Sequence, residues 1–203
     1  MIDVIIDISH WQEKVDFSRV KEAGILGVIL KATDGMDTDP KFIRISEARE
    51  VGLLVGSYHY VRKAHDMLDQ VKFYLKNAQP GKGELIAFDI ESGGEISRET
   101  LLDGIKYVVD TLGRYPVLYG GRNVLAVVVG DEPSDAISKC PLWWSQYGPE
   151  ITHVPELFGP QGPVIWQYTE NGECAGVVGP VDRDRYMLGD EDHLRAWWRG
   201  TAS

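Results

Sequence analysis

The sequence predicts a single α/β domain in which eight strands close into a barrel with an irregular last third. Short apolar runs alternate with helical segments over the first two thirds of the chain, and three more strand-like runs follow with loops between them. The chain has 203 residues, of which 43% are hydrophobic, so it can bury one sizeable core. An open doubly wound sheet is the alternative arrangement for the same pattern.

The first five predicted strands are short runs rich in Val and Ile. Runs of this kind, apolar on both faces, are typical of buried parallel strands. They are DVIIDIS (3–9), LGVILKAT (26–33), LLVGSYHYV (53–61), LIAFDIE (85–91) and YPVLYGG (115–121).

Helical spacing of apolar residues fills the gaps between these strands. The clearest segments are residues 39–52, 65–78 and 97–113. Asp39 and Ser97 are the predicted N-caps of the first and third segments, and Gly113 ends the third. The alternation predicts about five βα units with right-handed crossovers, which end near residue 130.

The pattern changes after residue 130, where three strand-like runs are joined by loops that contain Pro and Gly. They are PLWWSQYG (141–148), PVIWQYTEN (163–171) and PVDRDRYML (180–188). Loops without room for well-formed helices predict that these strands pair as hairpins or cover an edge. A final helix over residues 190–198 carries Trp197 and Trp198, which we expect in the core or at its rim.

Composition and charge reduce the number of function classes that fit this chain. The formal net charge is −10 and the Lys and Arg residues are scattered, which argues against nucleic acid as the partner. No apolar run reaches 18 residues and the first residues are acidic rather than basic, so we expect neither membrane insertion nor an export signal. Cys140 and Cys174 show no CxxC spacing. Two buried or idle thiols are the favoured interpretation, and a single disulfide between them is the alternative.

The candidate functional residues are polar side chains that end the predicted strands, because the functional face of a parallel barrel lies there. The strongest signal is Asp89 with Glu91, two residues apart at the end of one strand. This spacing turns both carboxyl groups to one side and places Ile90 in the opposite layer. Repulsion between the two charges raises the pKa of one group, which makes it a general acid at neutral pH.

Paired carboxyl groups beside aromatic side chains fit the cleavage of a glycosidic bond. One group protonates the leaving oxygen, a second stabilises the positively charged sugar or activates water, and aromatic faces match the apolar C–H faces of a sugar ring. A metal-dependent hydrolase could use the same acids, although the five histidines show neither HxH nor HExxH spacing. A carbohydrate-binding or purely structural role is the third interpretation.

Six motifs, in the same order along nearly the whole chain, resemble those of the glycoside hydrolase family 25 muramidases, the Chalaropsis-type lysozymes. They are IDISHWQ (6–12), KATDG (31–35), GSYHYV (56–61), FDIE (88–91), LWWSQY with WQYT (142–147 and 166–169) and VDRDRYMLG (181–189). The resemblance implies an irregular TIM-like (β/α)5(β)3 barrel as the single catalytic domain of residues 1–203, without a separate wall-binding domain. It also implies hydrolysis of the β-1,4 bond between N-acetylmuramic acid and N-acetylglucosamine in peptidoglycan.

The resemblance also assigns roles to single residues. Glu91 would be the general acid, Asp89 would polarise the substrate or stabilise an intermediate, and Asp7 and Asp182 would complete the acidic floor. Attack by water and participation of the substrate's N-acetyl group both stay open as mechanisms. No metal and no cofactor are expected. The predicted substrate-binding residues are Tyr58, Tyr60, Tyr119, Trp143, Tyr147, Trp166, Gln167 and Asp184.

Three features depart from the family's pattern. LWWSQY (142–147) differs from the commoner LWxAxY pattern by bulk and a hydroxyl group, so we expect changed subsite contacts and unchanged chemistry. Asp34 replaces the usual Glu of the second-strand motif, which weakens any role for that side chain. Asp184 stands where Asn is common, and we expect it to add a negative charge to the mouth of the cleft.

The expected partner is the glycan strand of bacterial peptidoglycan, with no nucleic acid and no membrane insertion, and the expected oligomeric state is a monomer. Without an export signal or a wall-binding domain, the sequence resembles a phage endolysin or another phage-associated lysozyme. Such a protein is made in the cytoplasm of the host and acts on the wall after release. A catalytically silent wall-binding module is the rival interpretation, and the presence of all four acids argues against it.

Overall fold

Nine strands form one sheet in the computed structural model, which describes residues 1–91, 96–160 and 162–201. They are β1 (Ile2–Ile8), β2 (Gly27–Asp34), β3 (Asp37–Thr38), β4 (Leu54–Tyr60), β5 (Leu85–Asp89), β6 (Val117–Gly120), β7 (Leu142–Ser145), β8 (Ile165–Gly172) and β9 (Val181–Tyr186). The strand order is β1-β9-β8-β7-β6-β5-β4-β2-β3, and β1 also pairs with β2. Eight strands therefore close the predicted barrel, and β3 adds a short hairpin to β2. The open sheet is excluded by the pairing of β1 with β2.

Helices follow the first five barrel strands, as the alternation predicted. They are α1 (Phe17–Glu22), α2 (Ile45–Glu50), α3 (Met67–Ala78), α4 (Arg98–Leu112) and α5 (Leu125–Val129), followed by α6 (Asp135–Ser138) and α7 (Glu191–Thr201). Short 3-10 helices cover Phe42–Arg44 and Glu156–Phe158. None of the helices in the described ranges is both long and apolar enough to span a bilayer.

The predicted ends of α4 are confirmed, whereas the predicted cap of α2 is wrong. Ser97 Oγ accepts a hydrogen bond from the Thr100 N–H at 3.2 Å, and Gly113 ends the helix with a φ of 69°. Asp39 instead accepts hydrogen bonds from the backbone N–H groups of His10 and Lys41, at 3.1 and 2.9 Å. The chain therefore turns through the 3-10 helix before α2 begins.

The last three strands differ in part from the predicted hairpins. Strands β8 and β9 form an antiparallel pair, as expected, but β7 and β8 are parallel, with Trp144 opposite Trp166. In the segment between them, the described residues 146–160 and 162–164 form one 3-10 turn and no longer helix, yet the segment is long enough to return the chain to the same end of the barrel. Seven barrel strands are therefore parallel and β9 alone runs against them.

Apolar side chains fill two layers because successive residues of each strand point to opposite faces. The layer between the sheet and the helices includes Ile6, Val28 and Phe88. The layer inside the barrel includes Ile5 and Ile29, which are neighbours of Ile6 and Val28 in sequence. This alternation leaves the inward positions at the strand ends for polar residues.

The final helix closes one end of the barrel. Trp198 is fully buried in the inner layer and donates a hydrogen bond from Nε1 to the Val55 carbonyl at 3.0 Å. A Cβ at Gly27 would lie 2.9 Å from its ring, so the absence of a side chain there lets the indole enter. Gly27 and Val55 lie at the amino ends of their strands, so α7 closes that end and the carboxyl end stays open.

Cys140 and Cys174 are free and buried, which confirms the favoured interpretation of the two cysteines. Burial raises the pKa of both thiols. Because the thiolate is the reactive form, both groups are poor nucleophiles at neutral pH.

We expect Trp198→Ala to lower the free energy of unfolding by about 3–5 kcal/mol, because it leaves a large cavity and removes the hydrogen bond to the Val55 carbonyl at the closed end of the barrel. Chemical denaturation followed by circular dichroism measures the change. Ile43→Ala is the control, since Ile43 is 78% exposed, and its effect should stay within about 0.5 kcal/mol. Equal effects of the two substitutions would contradict this role for α7.

Candidate active site

An open cleft of about 540 Å³ lies at the carboxyl ends of the parallel strands. Ten of the twelve residues that the sequence predicted as site residues line it, and two do not. The ten are Asp7, Tyr58, Tyr60, Asp89, Glu91, Tyr119, Trp143, Tyr147, Gln167 and Asp182. The cleft therefore gathers residues that lie up to 175 positions apart in the chain, from Asp7 to Asp182.

Four carboxyl groups form the centre of this cleft. Asp7 on β1 lies directly opposite Asp182 on the antiparallel strand β9, so both side chains point to the same face. Asp89 ends β5, and Glu91 follows two residues later with Ile90 turned into the outer core layer. The backbone therefore forms the predicted arrangement, in which Asp89 and Glu91 face one side and Ile90 faces the other.

Burial raises the pKa of all four acids. For Asp7 and Asp89 the neighbouring carboxyl groups raise it further, Asp184 for the former and Glu91 for the latter. Burial together with Asp7, Glu170 and Glu91 raises the pKa of Asp182 to about 9. The surroundings of the centre therefore favour the protonated form of its carboxyl groups.

Glu91 differs from the other three acids in its access to solvent. Its side chain is exposed to the cleft, whereas Asp7 and Asp89 are buried and Asp182 is half-buried. Burial of part of its carboxyl group raises the pKa of Glu91, against opposing effects of a hydrogen bond with Tyr119 and of the Lys31 charge. It is the acid that a bound molecule reaches first.

Gln167 connects the acidic floor to the aromatic side chains. Its Nε2 donates to Asp7 Oδ2 at 2.8 Å. Its Oε1 accepts from the hydroxyl of Tyr119 at 2.8 Å and from that of Tyr147 at 3.3 Å. The amide therefore fixes the position of the Asp7 carboxyl group.

Asp184 does not lie at the mouth of the cleft, contrary to the prediction. It is fully buried and accepts a hydrogen bond from Trp143 Nε1 at 2.7 Å. Because β9 runs against β1, Asp184 lies opposite Ile5 and is one step deeper in the barrel than Asp182. Its carboxyl group is in hydrogen-bonding contact with that of Asp7.

Trp166 also lies outside the cleft, although the sequence predicted it as a binding residue. It precedes Gln167 on β8, and alternation turns the two side chains to opposite faces. Its Nε1 donates to the Gln146 carbonyl at 2.7 Å, and the Arg185 guanidinium lies 5.1 Å from its ring. The indole therefore packs on the outside of the barrel.

The aromatic residues of the cleft have two different positions. Tyr58, Tyr119 and Trp143 are buried and form its floor, with the Tyr119 and Trp143 rings 4.5 Å apart. Tyr147 is 50% exposed on the wall. The floor therefore presents hydroxyl groups and the edges of rings. Among the predicted aromatic residues, Tyr147 on the wall is the one that presents an open ring face.

A cationic group that the sequence analysis did not select lies beside the acids. Lys31 lines the cleft, donates to Asp34 Oδ2 at 2.8 Å and lies 4.5 Å from the centre of the Tyr60 ring. Arg62 pairs with the same Asp34. Burial acts to raise the pKa of Asp34, but the hydrogen bonds from Arg62 and Lys31 lower it below the usual value. Asp34 thus holds the Lys31 and Arg62 side chains in place. The presence of a lysine within the apolar run LGVILKAT is the sequence feature that could have identified Lys31.

Three further residues that sequence reasoning did not select line the cleft, namely Ser9, Trp11 and Glu170, and His10, a polar residue just after β1, lines it as well. His59, by contrast, is buried behind the barrel wall, where its Nδ1 lies 2.8 Å from Thr33 Oγ1. Burial lowers its pKa to about 4, so the ring is neutral at physiological pH. His59 is therefore a structural residue of the barrel wall.

Comparison with known proteins gives consistent matches. Residues 6–177 match the model of the glycosyl hydrolases family 25. The chain is 30% identical to the uncharacterized protein YegX of Escherichia coli K12, in an alignment that covers 96% of this chain and 73% of that protein. It is 26% identical to lysozyme M1 of Streptomyces globisporus, over 89% of this chain and 66% of that protein.

Solved structures agree with the sequence matches. The bacterial lysozyme from Streptomyces coelicolor superimposes with a TM-score of 0.88 at 28% identity, and the alignment covers 100% of both chains. The family match spans most of the barrel and includes both halves of the Asp89 and Glu91 pair. This chain therefore belongs to glycosyl hydrolases family 25.

Proposed function

We propose that this chain is a muramidase that hydrolyses the β-1,4 bond between N-acetylmuramic acid and N-acetylglucosamine in peptidoglycan. The observation that carries the proposal is the accessible carboxyl group of Glu91 beside buried acids in an open cleft. Family membership and the likeness to lysozymes from two Streptomyces species support it. Phage origin, place of action and monomeric state stay predictions from the sequence.

Glu91 is assigned as the general acid. Partial burial raises its pKa and so favours the protonated form, and its exposure to the cleft allows the proton to reach the glycosidic oxygen. As the bond breaks, the oxygen takes this proton and leaves with the bonding electrons. The departing sugar therefore leaves as a neutral alcohol.

The buried acids act on the other side of the broken bond. Positive charge develops on the sugar ring as the leaving group departs, and Asp7, Asp89 and Asp182 border that space. A carboxylate stabilises a nearby positive charge, so the ionised form of these acids is the one that stabilises the developing cation. Asp89 lies next to Glu91 and is assigned to this stabilisation or to orienting the N-acetyl group, and both mechanisms fit the arrangement.

The test of the function is the product. Mass spectrometry of digested peptidoglycan should detect fragments with muramic acid at the reducing end. Glu91→Gln should fold normally and lose activity by a factor of about 100 or more, because the amide of Gln cannot act as a general acid. Activity that persists in EDTA separates this enzyme from a metal-dependent hydrolase. Fragments with reducing-end glucosamine, or released peptides, would contradict the proposal.

Asp182 should make stability depend on pH. Its pKa is about 9 in the folded protein, whereas the unfolded chain ionises near pH 4, so the folded state holds an extra proton between these values. The contribution of this group to stability is complete below about pH 4 and is lost progressively as the pH rises toward about 9. An Asn at position 182 does not titrate in this range. The melting temperature of Asp182→Asn minus that of the wild type should therefore be higher at pH 8 than at pH 5.

The same variant tests the division of roles among the acids. Its activity should fall less than that of Glu91→Gln. A melting-temperature difference that is the same at both pH values would contradict the raised pKa of Asp182.

Asp184 should be replaceable by its neutral amide. Two carboxyl groups in hydrogen-bonding contact must share a proton, and an Asn at 184 could donate to Asp7 while its oxygen still accepts from Trp143. Asp184→Asn should therefore keep the fold and raise the melting temperature at pH 8. Asp184→Leu leaves the Trp143 indole N–H without its acceptor and leaves Asp7 with only its Gln167 partner, so it should cost about 1–3 kcal/mol. Thermal unfolding of the two variants decides the matter, and equal destabilisation by both would refute the shared proton.

A further inference from the structure

The cleft continues past the acidic centre in two directions. A second cavity of about 410 Å³ shares His10, Lys31, Asp34 and Arg62 with it and lies toward β1 and β2. A third cavity of about 450 Å³ shares Glu91 and lies toward β6 and β7. A groove therefore crosses the open end of the barrel, with Glu91 between its ends. It has room for more sugar rings than the two that flank the broken bond.

Trp11 is the most exposed aromatic side chain along this groove. It is 78% exposed and lines the central cleft three residues beyond the end of β1. The other five tryptophans of the chain are buried or half-buried. An indole left in water forgoes a large amount of apolar burial, so its place at the rim of a glycan-sized groove points to a ligand that covers it.

The turn that carries Trp11 is held from several sides. The Ser9 N–H donates to Gln12 Oε1 at 2.9 Å, and the Trp11 N–H donates to Ser9 Oγ at 3.3 Å. Gln12 is buried, and its Nε2 donates to the Pro180 carbonyl at 3.2 Å. The Arg44 guanidinium donates to the Gln12 carbonyl at 2.6 Å. The exposed ring therefore stands on a fixed backbone, which lowers the entropy lost when a ligand binds to it.

His10 adds a polar edge beside the indole. Its ring centre lies 4.7 Å from that of Trp11, at an angle of 35°. Its Nδ1 lies 2.8 Å from Oδ2 of the buried Asp39, which also accepts the His10 N–H. An apolar face with a fixed polar neighbour matches a pyranose ring, whose C–H face is apolar and whose edge carries hydroxyl groups.

We propose that Trp11, together with His10, binds a sugar ring of the glycan strand beside the pair of rings that flank the cleaved bond. This inference rests on the proposed function, because it takes the same polymer as ligand. It assigns Trp11 to substrate binding and not to proton transfer. The platform favours strands that extend past the acidic centre toward β1 and β2.

The test uses Glu91→Gln, which should bind the strand without cleaving it. Soluble glycan strands, freed of their peptides, are titrated against this variant while its tryptophan emission is followed. Covering the exposed indole should shift the emission to shorter wavelength. In the double variant Glu91→Gln/Trp11→Ala this shift should vanish and the dissociation constant, measured by calorimetry, should rise about tenfold.

Two further variants separate the platform from a general effect of mutation. Trp11→Phe keeps an aromatic face, so in the Glu91→Gln background it should retain most of the affinity while losing the emission signal. Ile43→Ala removes a side chain that is equally exposed, at 78%, and should leave affinity and emission unchanged. In the active enzyme, Trp11→Ala should lower kcat/KM mainly by raising KM.

The outcomes that overturn the platform differ from those that overturn the function. Equal affinity with and without Trp11, no binding of the strands, or binding without a change in emission would overturn the platform. Continued cleavage by Glu91→Gln, or products without reducing-end muramic acid, would overturn the proposed function instead.

Discussion

The rest of the site depends on the crowding of carboxyl groups at the open end of the barrel. Asp7, Asp89, Glu91 and Asp182 line one cleft, and the buried Asp184 lies in contact with Asp7 behind it. Lys31 and Arg62 are cations that line the same cleft. So many ionised groups could not share it, because burial and mutual repulsion both disfavour the charged form. Protonation relieves this repulsion, and a protonated carboxyl group can act as a general acid. The barrel supplies the rigidity that keeps the groups from moving apart.

Much of this arrangement could be predicted from the sequence because local rules determine it. Apolar runs gave the parallel strands, Ser97 and Gly113 gave the ends of α4, and the spacing of Asp89 and Glu91 gave their common direction. These features depend on residues that are near one another in the chain. Asp39 was the exception, because its carboxyl group bonds to His10, which is far away in sequence.

The wrong predictions for Trp166 and Asp184 have another cause, which is the direction, register and parity of the strands. Trp166 and Gln167 are adjacent on β8, so they could not both face the cleft. Asp184 has the same parity as Asp182, but its depth follows from the register of β9 against β1, which the sequence did not reveal. The hairpin prediction was right for β8 and β9 and wrong for β7 and β8, which are parallel. Lys31 and Trp11 were visible in the motifs, and only the folded cleft places them beside the acids.

The seal made by α7 has a practical consequence for handling the protein. Trp198 seats that helix against the amino ends of β2 and β4, on the side of the molecule away from the groove. A tether attached after the helix would leave the molecule from this far side. An enzyme immobilised on a bead or electrode in that way would present its groove outward, toward an insoluble polymer too large to diffuse around it.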